Sequence, residues 1–169
     1  MSALLKRVIL SQFDASLLML RDCISKCPEA HWETPIGKYP FWQVAYHTLC
    51  FGEWYLCKDG ATWEPDQRPD GRHPKGTREL GDEYPSRKFS KKELLAYADD
   101  CRKMLAKQVR SETPRSLAGP GGSTWLKVSR AELYIYNLRH IQHHVGQLSA
   151  ALRRVKARPK WVSVGGVGG

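Results

Sequence analysis

Six histidines are the residues of this 169-residue chain best suited to chemistry: His31, His47, His73, His140, His143 and His144. Three of them fall within Arg139-His-Ile-Gln-His-His-Val-Gly-Gln-Leu148. Spacings of three and four residues put side chains on one helix face, which suits two ligands of a single metal ion. At about 100° per residue, with Ile141 as zero, Tyr134, Leu138, Val145, Leu148 and Leu152 fall within about 60° and define the apolar side. His144 at about −60° and His140 at about −100° share the flank of Leu133 and Ala151, so both point inward. His143, at about −160° among Tyr136, Gln147 and Arg154, faces water. A fourth candidate lies upstream. Gln43, Val44, Cys50, Phe51 and Trp54 all fall within about 60° of His47, which makes it an inward histidine of a second helix.

Taken singly, each inward histidine is most simply a hydrogen-bonded core residue, because leaving one unsatisfied costs about 1–3 kcal/mol. Three of them on two helices able to be neighbours are all satisfied by one shared divalent ion. The ligand set read from the sequence is therefore His47, His140 and His144. Three neutral imidazoles leave at least one position open for water or substrate. No carboxylate sits on these stripes. Cys50, one turn after His47, offers sulfur, although free cysteine more simply acts as a small buried hydrophobe. The lining expected around the ion is Gln43, Cys50, Trp54 and Asn137. Asn137 lies about 60–80° from His140 and His144, where it either orients a substrate or is a satisfied core amide. The protease signature H-E-x-x-H is absent, since Ile141 follows the first histidine. Imidazoles suit zinc, nickel, iron and copper alike; the expected cofactor is a divalent ion, zinc, nickel or iron, with zinc first.

Four segments must carry these residues. Leu5, Ile9, Phe13, Leu17, Leu20, Ile24 and Cys27 form one stripe from about residue 3 to 26, stopped by Pro28. Pro40 is placed to be the first residue of a second helix reaching Cys57. Ser90-Lys-Lys-Glu93 is a capping box in front of Leu94, Tyr97, Ala98, Cys101, Met104, Leu105 and Val109. A second such box, Ser129-Arg-Ala-Glu132, opens the last helix, which runs to about Arg154. Residues 58–88 are charged, rich in proline and glycine and without period, so they form a long irregular connection, a candidate lid or crossover. Strand signals are weak, Trp125 to Val128 among them. Four amphipathic helices of about twenty residues predict an all-α four-helix bundle. The short first connection suggests that helices one and two are antiparallel neighbours. The long second connection lets helix three run parallel to helix two.

Composition sets the frame. The length fits one domain, here residues 1–158, followed by a flexible glycine-rich tail over 159–169. Twenty-seven lysines and arginines against 17 acids give a net charge of +10. The dense cluster, Arg153 to Lys160, is local, and the basic residues of helix three are interleaved with acids. This reads as a solvated surface that favours anionic small molecules, and it argues against a specific nucleic-acid function. No apolar run reaches membrane-spanning length, and the N-terminus lacks a secretory pattern. The five cysteines are odd in number and none forms a C-x-x-C pair, so a reducing cytoplasm without structural disulfides is expected. Gly119-Pro-Gly-Gly-Ser-Thr124 lacks the Gly-Lys-[Ser/Thr] of a phosphate loop and is a turn. His31 and His73 lie in loops exposed to solvent.

His47 in the second of four helices, with His-x-x-His-His-x-Gly-Gln-Leu in the last, resembles the DinB-like (DinB/YfiT) metalloenzyme superfamily over essentially residues 3–155. The resemblance implies an up-down-down-up bundle and a divalent metal on three histidines. Carried over residue by residue, these are His47, His140 and His144. It also implies activity like that of metal-dependent transferases or isomerases that use a low-molecular-weight thiol. The expected partner is then a small-molecule substrate, such as a thiol, with no membrane; monomer and homodimer both stay open. Two other readings remain. One is a non-catalytic metal-stabilised or ligand-binding bundle, and the other, less favoured, is a basic nucleic-acid-associated protein.

Overall fold

The computed structural model describes residues 2–58, 87–123 and 125–166. His73 and nearly all of the long connection lie outside them. Among the described residues five α-helices follow in chain order: α1 Ser2–Lys26, α2 Phe41–Leu56, α3 Lys91–Ser111, the short α4 Pro114–Ala118, and α5 Arg130–Arg154. The four long ones match the four periodic segments. Ile9, Phe13, Leu17, Leu20, Ile24 and Cys27 are buried, as are Leu94, Tyr97, Ala98, Cys101, Leu105 and Val109; Leu5 and Met104 pack partly buried beside them.

Hydrogen bonds between helices fix their directions. Gln142 Nε2 donates to Ser16 Oγ and Cys23 lies 3.3 Å from Ser149, so α1 and α5 run parallel. Lys6 Nζ donates to Arg110 O, while Arg21 pairs with Asp99, so α1 and α3 are antiparallel. Arg130 reaches Leu56 O, Asn137 reaches Gly52 O and His140 meets His47, so α2 and α5 are antiparallel too. The bundle is therefore up-down-down-up. Its square has α1 and α2 at opposite corners, each packed on α3 and α5 and scarcely touching one another.

That placement corrects the expectation that helices one and two are neighbours. Their connection spans the diagonal with a single 3₁₀ turn, Glu29–His31, and a two-stranded hairpin, Pro35–Ile36 with Tyr39–Pro40. Gly37, at φ +66°, turns the hairpin in a region that other residues avoid. His31 sits in the 3₁₀ turn, half-buried rather than exposed in a loop. Pro40 ends the second strand and is the residue before the helix rather than its first residue. No side chain caps α2; its Phe41 and Trp42 amides donate instead to Thr34 O and Trp32 O. The hairpin thus satisfies donors that would otherwise be orphaned.

The box at Ser90 and Glu93 is complete, with both reciprocal bonds formed. At α5, Ser129 accepts from the Glu132 amide. Trp125 to Val128 forms no strand; a lone bridge between Pro120 and Ser129 closes that loop. After α5, the backbone as far as Gly166 is laid along α1. Lys160 N donates to Asp22, Gly165 N to Ser11 O at 2.9 Å, and Gly166 N to Asp14 Oδ2 at 2.9 Å. The approach depends on glycine, because a Cβ on Gly165 would stand 2.5 Å from that of Asp14. No helix among the described residues is long and apolar enough to cross a membrane.

Candidate metal centre

The edge between α2 and α5 is built like a ladder. At one end Arg130, the first residue of α5 and 4% exposed, gathers the last carbonyls of α2. Its guanidinium donates to Tyr55 O at 3.0 Å, Leu56 O at 2.6 Å and Cys57 O at 3.1 Å. A cation at a helix C-terminus meets the negative end of the helix dipole. The same guanidinium pairs with the buried Glu112, which also accepts from Tyr134 and Ser116. Burial alone would push the Glu112 carboxyl up, but those three hydrogen bonds and the Arg130 charge hold it below its ordinary value. Two turns along α5, Asn137 Nδ2 donates to Gly52 O at 2.9 Å. Beyond it come the histidines.

Nε2 of His140 lies 3.4 Å from Nε2 of His47. Ligand nitrogens about 2.0–2.1 Å from a tetrahedral zinc stand about 3.3 Å apart, so the two rings are already spaced as one edge of a coordination sphere. The His144 ring centroid is 4.9 Å from that of His47 and 4.8 Å from that of His140. One ligand atom from each ring lies within 4.8 Å of the others. His144 Nδ1 donates to Gln147 Oε1 at 2.8 Å, which leaves its Nε2 as the lone-pair nitrogen. Burial pushes the His140 imidazole down to about 3, with His144 and His47 adding to the effect. It lowers His144 as well. Neutral rings with buried lone pairs are the form that binds a divalent ion. The Nδ1 of His140 and the Oδ1 of Asn137 are buried without a hydrogen-bond partner among the described residues. The cluster therefore fits a divalent metal in donor type, spacing and protonation.

The sequence singled out these three histidines, and the fold brings them together. His143 is exposed, as its wheel position implies. The expected lining residues separate. Gln43 is buried on α2 one turn before His47, and Asn137 serves as the rung described above. Trp54 is half-buried, stacked on Tyr55 and edge-on to Phe51. Cys50 is fully buried and stands outside the three-histidine group.

Two contributors were missed. The helical wheel sets Gln147 on the polar side and assigns it no role, yet a residue three positions after His144 is within reach of its ring. The second is a run of rings beside the imidazoles: Phe51 at 4.4 Å from His47, and Tyr55 at 5.9 Å from His140. The aromatic content of α2 signalled it, but Tyr136 and Trp125 come from distant stretches that only the fold joins.

Comparison with curated proteins and with solved structures gives no significant match. The sequence model of the DinB superfamily, by contrast, matches residues 12–148. That span takes in the whole of α2 and α3, and all three converging histidines. The chain belongs to the DinB superfamily.

Proposed function

We propose that this protein is a divalent-metal-dependent enzyme whose ion is held by His47, His140 and His144, and which activates a low-molecular-weight thiol or water toward a small-molecule substrate. The observation that carries the reading is the convergence of three imidazoles at ligand spacing, His144 buried and the other two half-buried, with no carboxylate in their group among the described residues. Such a donor set favours zinc first, then nickel or iron. A bound ion would supply Lewis acidity, bringing the pKa of a thiol or water into the neutral range. The chain's own part is to hold the His140 and His144 rings in their neutral form, to fix the His144 tautomer through Gln147, and to lock α2 against α5 through Arg130 and Asn137. Three protein ligands leave a coordination position for the reactant. The net charge of +10 favours anionic reactants such as a carboxylate-bearing thiol. No disulfide joins any of the five cysteines, which suits a reducing cytoplasm.

The test is elemental analysis of protein purified without a metal-affinity column, on the parent and on His47→Ala, His140→Ala and His144→Ala. About one ion per chain is expected in the parent and a loss of most of it in each variant. Unchanged content in the variants overturns the site. The loaded parent is then screened for metal-dependent conjugation or isomerisation with several thiols. Absence of turnover with metal retained reduces the reading to a metal-stabilised bundle.

A further inference from the structure

Beside the imidazoles the structure places a continuous row of aromatic side chains that no step above uses. Phe51 touches His47 and lies 5.8 Å from His140. Tyr55 stands edge-on to His140. Tyr136 meets Tyr55 at 5.3 Å with the rings at 89°, and Trp125 meets Tyr136 at 5.9 Å and 73°. The row thus runs from the ligand rings outward along α2, across to α5, and ends on the 119–129 connection. Phe51 and Tyr136 are half-buried, Tyr55 between them is 5% exposed, and the outermost ring, Trp125, is 53% exposed. Tyr55 and Tyr136 meet edge to face, so what these residues offer a guest is ring surface. Arg139 lies 5.9 Å from the Tyr136 ring centroid, a cation that turns the row against a cationic guest.

We propose that Phe51, Tyr55, Tyr136 and Trp125 form the substrate subsite of this centre and take a flat aromatic or conjugated, uncharged or anionic group, with Trp125 as the outer ring against which it stacks. The proposal rests on the metal-centre reading and gives its reactant a chemical class. Perpendicular rings present both edges and faces, and a planar guest gains from each in a way that a saturated ring of the same size does not. The row is continuous with the imidazoles, so a guest lying on it is adjacent to the ion that those imidazoles would hold.

The experiment uses protein loaded with Co²⁺ and titrated with 2-phenylethanethiol or 2-cyclohexylethanethiol. In both probes the sulfur stands two carbons from the ring, and the rings differ in having or lacking a π face. Calorimetry gives the affinity, and the cobalt absorption bands report whether sulfur reaches the ion. The phenyl thiol is expected to bind roughly two- to tenfold more tightly, the range that aromatic stacking supplies. Trp125→Leu should abolish that preference, while Trp161→Leu, at a tryptophan 77% exposed elsewhere on the surface, should leave it intact. Equal affinities for the two thiols with a cobalt shift overturn the subsite and leave thiol activation standing. A phenyl preference that Trp125 controls, without any cobalt shift, supports the subsite and removes the thiol from the proposed function. No binding of either thiol, or a preference that survives Trp125→Leu, overturns the subsite outright.

Discussion

An imidazole that donates from Nδ1 presents its lone pair at Nε2, so the Gln147 amide decides which nitrogen of His144 faces His47 and His140. Gln147 also donates to His143 Nε2 at 3.2 Å, which steadies the amide from its other side. Replacing Gln147 by leucine keeps the bulk and removes the acceptor. Metal affinity should fall roughly 10–100-fold, measured by competition with a chromophoric chelator, while helical content by circular dichroism stays that of the parent. Unchanged affinity would mean that packing alone orients His144. At this scale the sequence was most legible for the ligands themselves. Periodicity tells which side of a helix His140 and His144 occupy, whereas the partner of each ring nitrogen depends on rotamers that periodicity does not constrain.

Helices are positioned by their ends as much as by their stripes. Arg130, one buried guanidinium, ties the last turn of α2 to the start of α5 and to Glu112 after α3. Arg130→Met should cost about 3–5 kcal/mol, since it strands the Glu112 carboxylate and the α2 carbonyls together; urea unfolding of the metal-free protein measures it. The partner carboxylate gives a pH signature. Because the folded-state pKa of Glu112 is lowered, its contribution is present above the ordinary glutamate value of about 4.3 and is lost as pH falls through the folded value. Glu112→Gln should therefore be less stable than the parent at pH 7, with the gap closing below about pH 4 in urea titrations across that range. None of this was legible beforehand. Arg130 reads as the second residue of a capping box, and only the antiparallel packing of α2 on α5 brings the C-terminus of α2 beneath it. The four long helices, by contrast, followed from periodicity and the Ser90 cap, because local propensity and burial agree along each stripe.

Across the whole molecule, the charge of +10 proved less informative than three histidines counted as neutral. Helices one and two are antiparallel as expected but are not neighbours, because the Pro28–Pro40 connection folds into its own hairpin, which carries the chain across the end of the square. Glycine at 165 likewise reads as looseness in a sequence, yet here its missing side chain admits the backbone against Asp14. The diagonal order of the helices also bears on how the protein is made. His47 and His140 are 93 positions apart, and α5 is translated after α2. At about 5–20 residues per second, several seconds separate the two on a translating ribosome. No N-terminal fragment ending before α5 carries more than one of the three converging histidines. On the proposed reading, metal capture would be reserved for a chain in which α5 has been translated and docked, and a fragment lacking α5 would compete poorly for an ion.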